Sequence, residues 1–342
     1  CFCVAGPTHG QCDGDFLKRS EVPLEGGGEG LGRITSAATL PDGSFVVATA
    51  SPAVYRFSQS GQRITKIGRS GPGPFEYQSP SIVRTDGERI AVWDSDALKL
   101  ITYGPDGKAL NEWSTMVSQA VSDLVLSGDS LFAYHSGGLR RGYVRGYSLK
   151  QEEPLFRIGK APIEHAVLMM LAGSGALSLS PDTLYFASAA EPVVRSFSLD
   201  TRAAGELAVA DPSFEVGDAG FASISEIGAN RKEAIKFIST NSRFYELNTF
   251  RTSILAVLEH GTVSYGSKQL RAHDRHLHVH HLSKRGSSLA CERIELDFTE
   301  GEVGTDPIVG RSDRGFLVVQ TREASDDRDF GYVLTEWRVP VK

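Results

Sequence analysis

Gly61–Val83, GQRITKIGRSGPGPFEYQSPSIV, holds in order a reverse turn, an edge strand, a glycine-proline corner and the entry into another strand. Gly61 closes the turn, and Arg63 to Ile67 alternates polar and apolar residues like a half-buried strand. Gly68, Gly71, Pro72, Gly73 and Pro74 forbid a helix and force the chain to cross. A new strand then starts at Ser81 to Arg84. The stretch reads as a seam between two repeats, so the same order of signals is expected on either side of it.

It is found on both sides. Upstream lie ITSAATL from Ile34, a turn at Pro41, Asp42 and Gly43, then SFVVATA, AVYRFS and QRITKIG. Downstream the order returns as SIVRT, a turn at Asp86 and Gly87, ERIAVWD, LKLITYG, a turn at Asp106 and Gly107, and KALNEWS. A third cycle turns at Gly128 and Asp129, and a fourth at Pro181 and Asp182. Asp42, Asp86, Asp129 and Asp182 recur at intervals of 44, 43 and 53 residues, the blade length of a propeller or slightly more. Asp and Gly suit these hairpins because a tight turn needs positive φ or a side chain that bonds its own backbone.

After Asp211 the register blurs. Phe221 to Ile238 could hold a helical turn or two as an insertion, and strands resume with RTSILAVLE, RHLHVHHLS and LACERIELDF. The last cycle, DPIVGRS, GFLVVQT and FGYVLTEWRV, has only three strands. An orphan strand at Asp15 to Leu24 supplies the fourth. The expected fold is therefore all-β, a six-bladed β-propeller over residues 15–342 whose ring is closed by an N-terminal strand completing the last blade. Closure of that kind removes free sheet edges. Residues 1–14 read as a tether.

Composition limits what such a ring can do. With 42 acidic against 36 basic residues the formal net charge is −6, which predicts no general attraction to nucleic acid. No apolar run approaches the roughly 18 to 20 residues that cross a bilayer. The chain begins at Cys1, and a mature chain starting on cysteine is what lipoprotein processing leaves. Acylated Cys1 would then hold the protein at the periplasmic side of a bacterial membrane. The alternative is a boundary that happens to fall on cysteine. Of the other three cysteines, Cys3 and Cys12 are the preferred disulfide, leaving Cys291 as a small apolar strand residue.

IGRSGPGPFEYQSP, together with the Asp-Gly turns, resembles a phrase found between the first two blades of bacterial six-bladed propellers related to the NHL and TolB-like groups. Phe75, Glu76 and Pro80 fit that phrase, and the weak fifth cycle departs from it. The resemblance covers about residues 15 to 340. It implies the fold and export, often with lipid attachment, and it implies no single activity.

The densest chemical cluster is RAHDRHLHVHH, Arg271 to His281, with five of the nine histidines. In a strand His276, His278 and His280 share one face, which suggests a metal or pH-sensitive site. Steps of roughly 7 Å put the three too far apart to grip one ion without distortion, so a plain polar face is the favoured reading and no metal is assigned. Arg140, Arg141 and Arg145 form a basic group that could meet lipid headgroups, although such groups are more often solvated. Asp123 and Glu226 could enter a central channel. No G-x-S-x-G elbow, Walker loop or H-E-x-x-H helix occurs.

The expectation is a non-catalytic, cofactor-free, lipid-anchored subunit that binds or scaffolds a larger integral membrane protein complex. An extrinsic position on a photosynthetic reaction centre is the specific case, by analogy alone. The alternative is a calcium-dependent lactonase-like hydrolase or lyase using the central channel, and a sensor or carrier of sugars or peptides is a third possibility.

Overall fold

The computed structural model describes residues 15–26, 30–114, 121–135, 143–150, 154–159, 175–189, 191–214, 242–250, 252–265, 270–285, 287–296, 308–312, 315–323 and 330–339. Runs of β-branched and aromatic residues punctuated by Gly, Asp and Pro become strands, and consecutive strands pair antiparallel into small sheets. The first sheet is Ile34–Thr39, Phe45–Thr49, Ala53–Phe57 and Arg63–Lys66; the second is Pro80–Thr85, Ile90–Asp94, Lys99–Tyr103 and Ala109–Trp113. The third is Val121–Ser127, Ser130–His135, Val144–Ser148 and Pro154–Ile158; the fourth is Gly175–Ser180, Thr183–Ser188, Val193–Ser198 and Ala204–Ala208. The fifth is Arg243–Thr249, Ser253–Tyr265, Leu270–Ser283 and Ser288–Glu295. The sixth contains Ile308–Arg311, Gly315–Glu323 and Phe330–Arg338.

Lys18–Leu24 completes that last sheet. It lies antiparallel to Phe330–Arg338, from Lys18 opposite Arg338 to Leu24 opposite Tyr332. The inner strands touch one another in cyclic order, the sixth returning to the first, where Ala38 bridges to Arg311 in a parallel pair. The chain is a six-bladed β-propeller.

Apolar side chains fill the wedge between each pair of neighbouring blades. Val46 and Val54 of blade one meet Val83 and Ile101 of blade two, and Leu100 of blade two meets Leu124 and Tyr147 of blade three. Leu24, Phe45 and Leu334 gather where blade six meets blade one. Each such side chain, fully buried, is worth roughly 1.5–3 kcal/mol.

The glycine-proline corner is an ordered knot at the first of these seams. A short parallel pair joins Arg69–Ser70 to Glu76–Tyr77. The buried Tyr77 hydroxyl donates to the Ile67 carbonyl at 2.7 Å and accepts from the Val54 N–H at 3.1 Å. Tyr103 donates its hydroxyl proton to the Phe75 carbonyl at 2.9 Å. Gly68 has φ +65°, and a Cβ there would sit 2.5 Å from the Tyr103 hydroxyl oxygen, so this position tolerates no side chain.

The inner strand of blade five is Arg243–Thr249, a stretch that the sequence reading passed over. Arg145 is buried in blade three, so it offers no charge to a lipid surface, while Arg140 and Arg141 lie outside the described residues. Residues 1–14 and the segment Phe221 to Ile238 also lie outside them. Among the described residues no helix is long and apolar enough to cross a membrane.

Candidate functional site

Two buried polar constellations stand out, one on the ring axis and one inside blade five. The axis is built from the inner strands. Arg84 of blade two reaches Asp123 of blade three, with Nη2 2.7 Å from Oδ1, and Glu246 of blade five, with Nη2 3.3 Å from Oε2. Arg311 of blade six lies 2.7 Å from Glu246 Oε1 and 3.4 Å from Asp123 Oδ2, and it also donates to the Leu177 carbonyl of blade four. Blade one contributes Ser36, whose hydroxyl oxygen accepts from the Val83 N–H at 3.1 Å and from Arg84 Nη1 at 3.4 Å.

Two guanidinium groups and two carboxylates thus cancel in charge, and the network touches every blade. Main-chain N–H groups of Leu124, Leu177 and Leu247 add bonds to the same carboxylates at 2.8, 2.7 and 3.0 Å. A hard cation such as calcium needs six to eight convergent oxygens. The oxygens of Asp123 and Glu246 are already engaged by cationic and amide donors, so this set does not fit such an ion. Glu226 lies outside the described residues.

Beside the plug, a cavity of about 760 Å³ opens along the axis. Its wall carries Thr39, Thr85, Ser127, Ser178, Ser180, Thr249 and Ser312, so every blade brings at least one hydroxyl, and Arg311 lines it too. Asn248 is committed to the wall itself, donating to the Ser312 and Gly315 carbonyls. The lining can exchange hydrogen bonds with a polar ligand.

The second constellation centres on Asp211, at the end of the fourth blade. Its Oδ1 accepts from the Ser213 N–H at 2.8 Å, a local turn that aims Oδ2 inward. Three imidazoles meet that one oxygen: His260 Nε2 at 3.1 Å, His278 Nδ1 at 2.9 Å and His280 Nε2 at 2.8 Å. The carboxylate side chain is fully buried. Burial is the largest single influence and raises its pKa, but the hydrogen bonds from His260, His278 and His280 together outweigh it and hold the group ionised far below the usual carboxylate range.

Two of the three histidines expected to share a strand face therefore converge after all. His278 uses its near nitrogen and His280 its far one, which lets these two meet at one atom although their strand positions are roughly 7 Å apart. His276 does not join them at Asp211; its ring stacks on His260 with centroids 5.4 Å apart. His260 comes from the neighbouring strand, opposite His276 in register. Asp211 and His260 escaped the sequence reading. The one local signal was the Asp-Pro-Ser turn at the start of a long connection.

Ser242 gives the cluster the outline of a hydroxyl-imidazole-carboxylate relay, with Oγ 2.9 Å from His260 Nδ1. Its hydroxyl also donates to the Ser213 carbonyl at 3.2 Å, it is buried, and it does not line the axial cavity. That geometry suits support of the ring better than attack on a substrate.

Cys291 takes part in a disulfide, which corrects the expectation of a lone apolar thiol. Cys1, Cys3 and Cys12, with the expected acylation and the expected Cys3–Cys12 bond, lie outside the described residues.

The family model described as 6-bladed beta-propeller, DUF5128, matches residues 29–187. A member of the DUF4221 family from Bacteroides vulgatus superposes with a TM-score of 0.64 at 10% identity, covering 95% of this chain and 98% of its own. A putative exported protein from Bacteroides fragilis does so with a TM-score of 0.61 at 11% identity, covering 94% and 95%. No curated protein matches the sequence. These likenesses concern the fold, and they agree with the six blades counted in the structure.

Proposed function

We propose that this propeller is a non-catalytic binding or scaffold subunit of a larger membrane assembly, facing the periplasm and held by acyl chains on Cys1. The observation that carries the reading is the plugged axis. A channel that used a hard cation would need convergent free oxygens, whereas the four charges of Arg84, Asp123, Glu246 and Arg311 satisfy one another and lock the blades together. The disulfide at Cys291 supports an oxidising compartment.

The outer surface supports a role in contact. Ile64, Leu110, Leu155 and Leu289 are large exposed apolar residues on the outermost strands of blades one, two, three and five. Phe75, also exposed, sits at the corner between the first two blades. A rim of this kind offers anchors to a partner without disturbing the ring.

Affinity isolation from native membranes in mild detergent tests the proposal. The expected result is a stoichiometric complex with integral membrane proteins, a photosynthetic reaction centre being the first to look for. Release of the chain as a free monomer overturns it, and mass spectrometry finding an unmodified Cys1 removes the anchor.

A further inference from the structure

Asp211 Oδ2 carries more donors than a carboxylate oxygen accommodates well. Such an oxygen has two lone pairs in the carboxylate plane, yet three imidazole nitrogens lie within 3.1 Å of it. The ligand atoms of Asp211, His278 and His280 all fall within 4.8 Å of one another, and all three residues are buried. Two nitrogen atoms from one strand and an oxygen from a loop that gather in this way offer the start of a coordination shell.

We propose that Asp211, His278 and His280 form a buried three-ligand site for a transition metal of the zinc class. Two imidazole nitrogens and one carboxylate oxygen are donors that such an ion prefers, and His260, bonded to the same carboxylate oxygen at 3.1 Å, stands outside them as a supporting group. Tetrahedral bonds of about 2.0–2.1 Å set ligands about 3.3 Å apart; His278 Nδ1 and His280 Nε2 lie 2.9 and 2.8 Å from the Asp211 oxygen, so side-chain shifts that draw these donors apart around a central point admit the ion. Outer contacts already orient the shell. His260 Nδ1 lies 3.1 Å from the Ser213 carbonyl and Phe214 packs edge-on against the same ring.

The neighbouring charges do not compete for the ion. Arg243 pairs with Glu259 at 2.6 Å, and Arg293 pairs with Glu295 at 2.6 Å. Bound metal would clip the connection leaving blade four to Leu270–Ser283, a central strand of blade five. This inference does not rest on the scaffold reading, and either can fail alone.

The test uses the full chain, stripped with a chelator and returned to zinc. Metal analysis and calorimetry should find one zinc per chain, and the Asp211→Asn and His278→Ala/His280→Ala variants should bind at least 100-fold more weakly. His276→Ala should bind within threefold of the parent. Because the variants in the shell could fail to fold, cobalt added to the unaltered chain gives a second readout: intense visible bands of a tetrahedral ion. A chain that takes up no zinc, a cobalt spectrum like that of the hydrated ion, or unchanged affinity in a folded Asp211→Asn protein overturns the proposal.

Discussion

Arg84 and Glu246 stand 162 positions apart in the chain, yet Nη2 of one lies 3.3 Å from Oε2 of the other on the ring axis. Neither has solvent to fall back on. Arg84→Met should therefore cost about 3–5 kcal/mol, because it leaves two buried carboxylates facing the single guanidinium of Arg311. The double variant Arg84→Met/Glu246→Met, which leaves the Asp123 and Arg311 charges balanced, should recover much of that loss. Urea unfolding reads both, and a single variant as stable as the parent would show that the axis is hydrated.

The corner between the first two blades depends on one hydroxyl. Tyr77→Phe removes the group that joins the Val54 N–H to the Ile67 carbonyl and leaves both buried without it. About 1–3 kcal/mol of stability should disappear with no change in blade packing. Equilibrium unfolding with a matched circular-dichroism spectrum checks this.

Acid should weaken blade three through His135. This ring is fully buried, and desolvation, with the nearby charge of Arg145, lowers its pKa from 6.5 to about 3. Between those values the unfolded chain binds a proton that the folded chain refuses. The contribution is therefore fully present above pH 6.5 and is lost at about 1.4 kcal/mol per unit as pH falls toward 3. His135→Gln keeps a polar partner for the Tyr147 hydroxyl, 3.1 Å away in the parent, and should show a shallower decline between pH 7 and pH 5. Parallel slopes for the two proteins would count against a buried neutral imidazole.

Blade five grips the segment that leads into the closing strand. Glu292 Oε2 accepts the N–H groups of Phe16 at 2.8 Å and Leu17 at 2.9 Å, just before the closing strand. In Glu292→Ala the amides of Phe16 and Leu17 should exchange with deuterium at least tenfold faster, while Val22, paired opposite Leu334, keeps its protection. Equal acceleration at all three would mean that the two attachments open together.

The repeat was legible wherever a turn and its flanking strands obey simple chemistry. Asp86 is such a place: its Oδ1 accepts the N–H groups of Glu88 and Arg89 at 3.1 and 2.9 Å. Arg243–Thr249 was not legible, because Arg243, Glu246 and Asn248 are buried for the sake of ion pairs and carbonyl partners, and their polarity hid an inner strand. The histidine cluster was half legible. Alternation puts His278 and His280 on one face, but only the fold brings Asp211 and His260 to them from other elements, and no local pattern encodes that meeting. The engagement of Cys291 in a disulfide is likewise a fact of tertiary structure.

The pairing of Lys18–Leu24 with Phe330–Arg338 sets a timetable for biogenesis. The strand made earlier must wait for the one made later, so a growing chain cannot complete this sheet before Phe330–Arg338 has been made. Such delayed pairing lengthens the interval in which a bare strand edge invites capture by chaperones or by another unfinished copy.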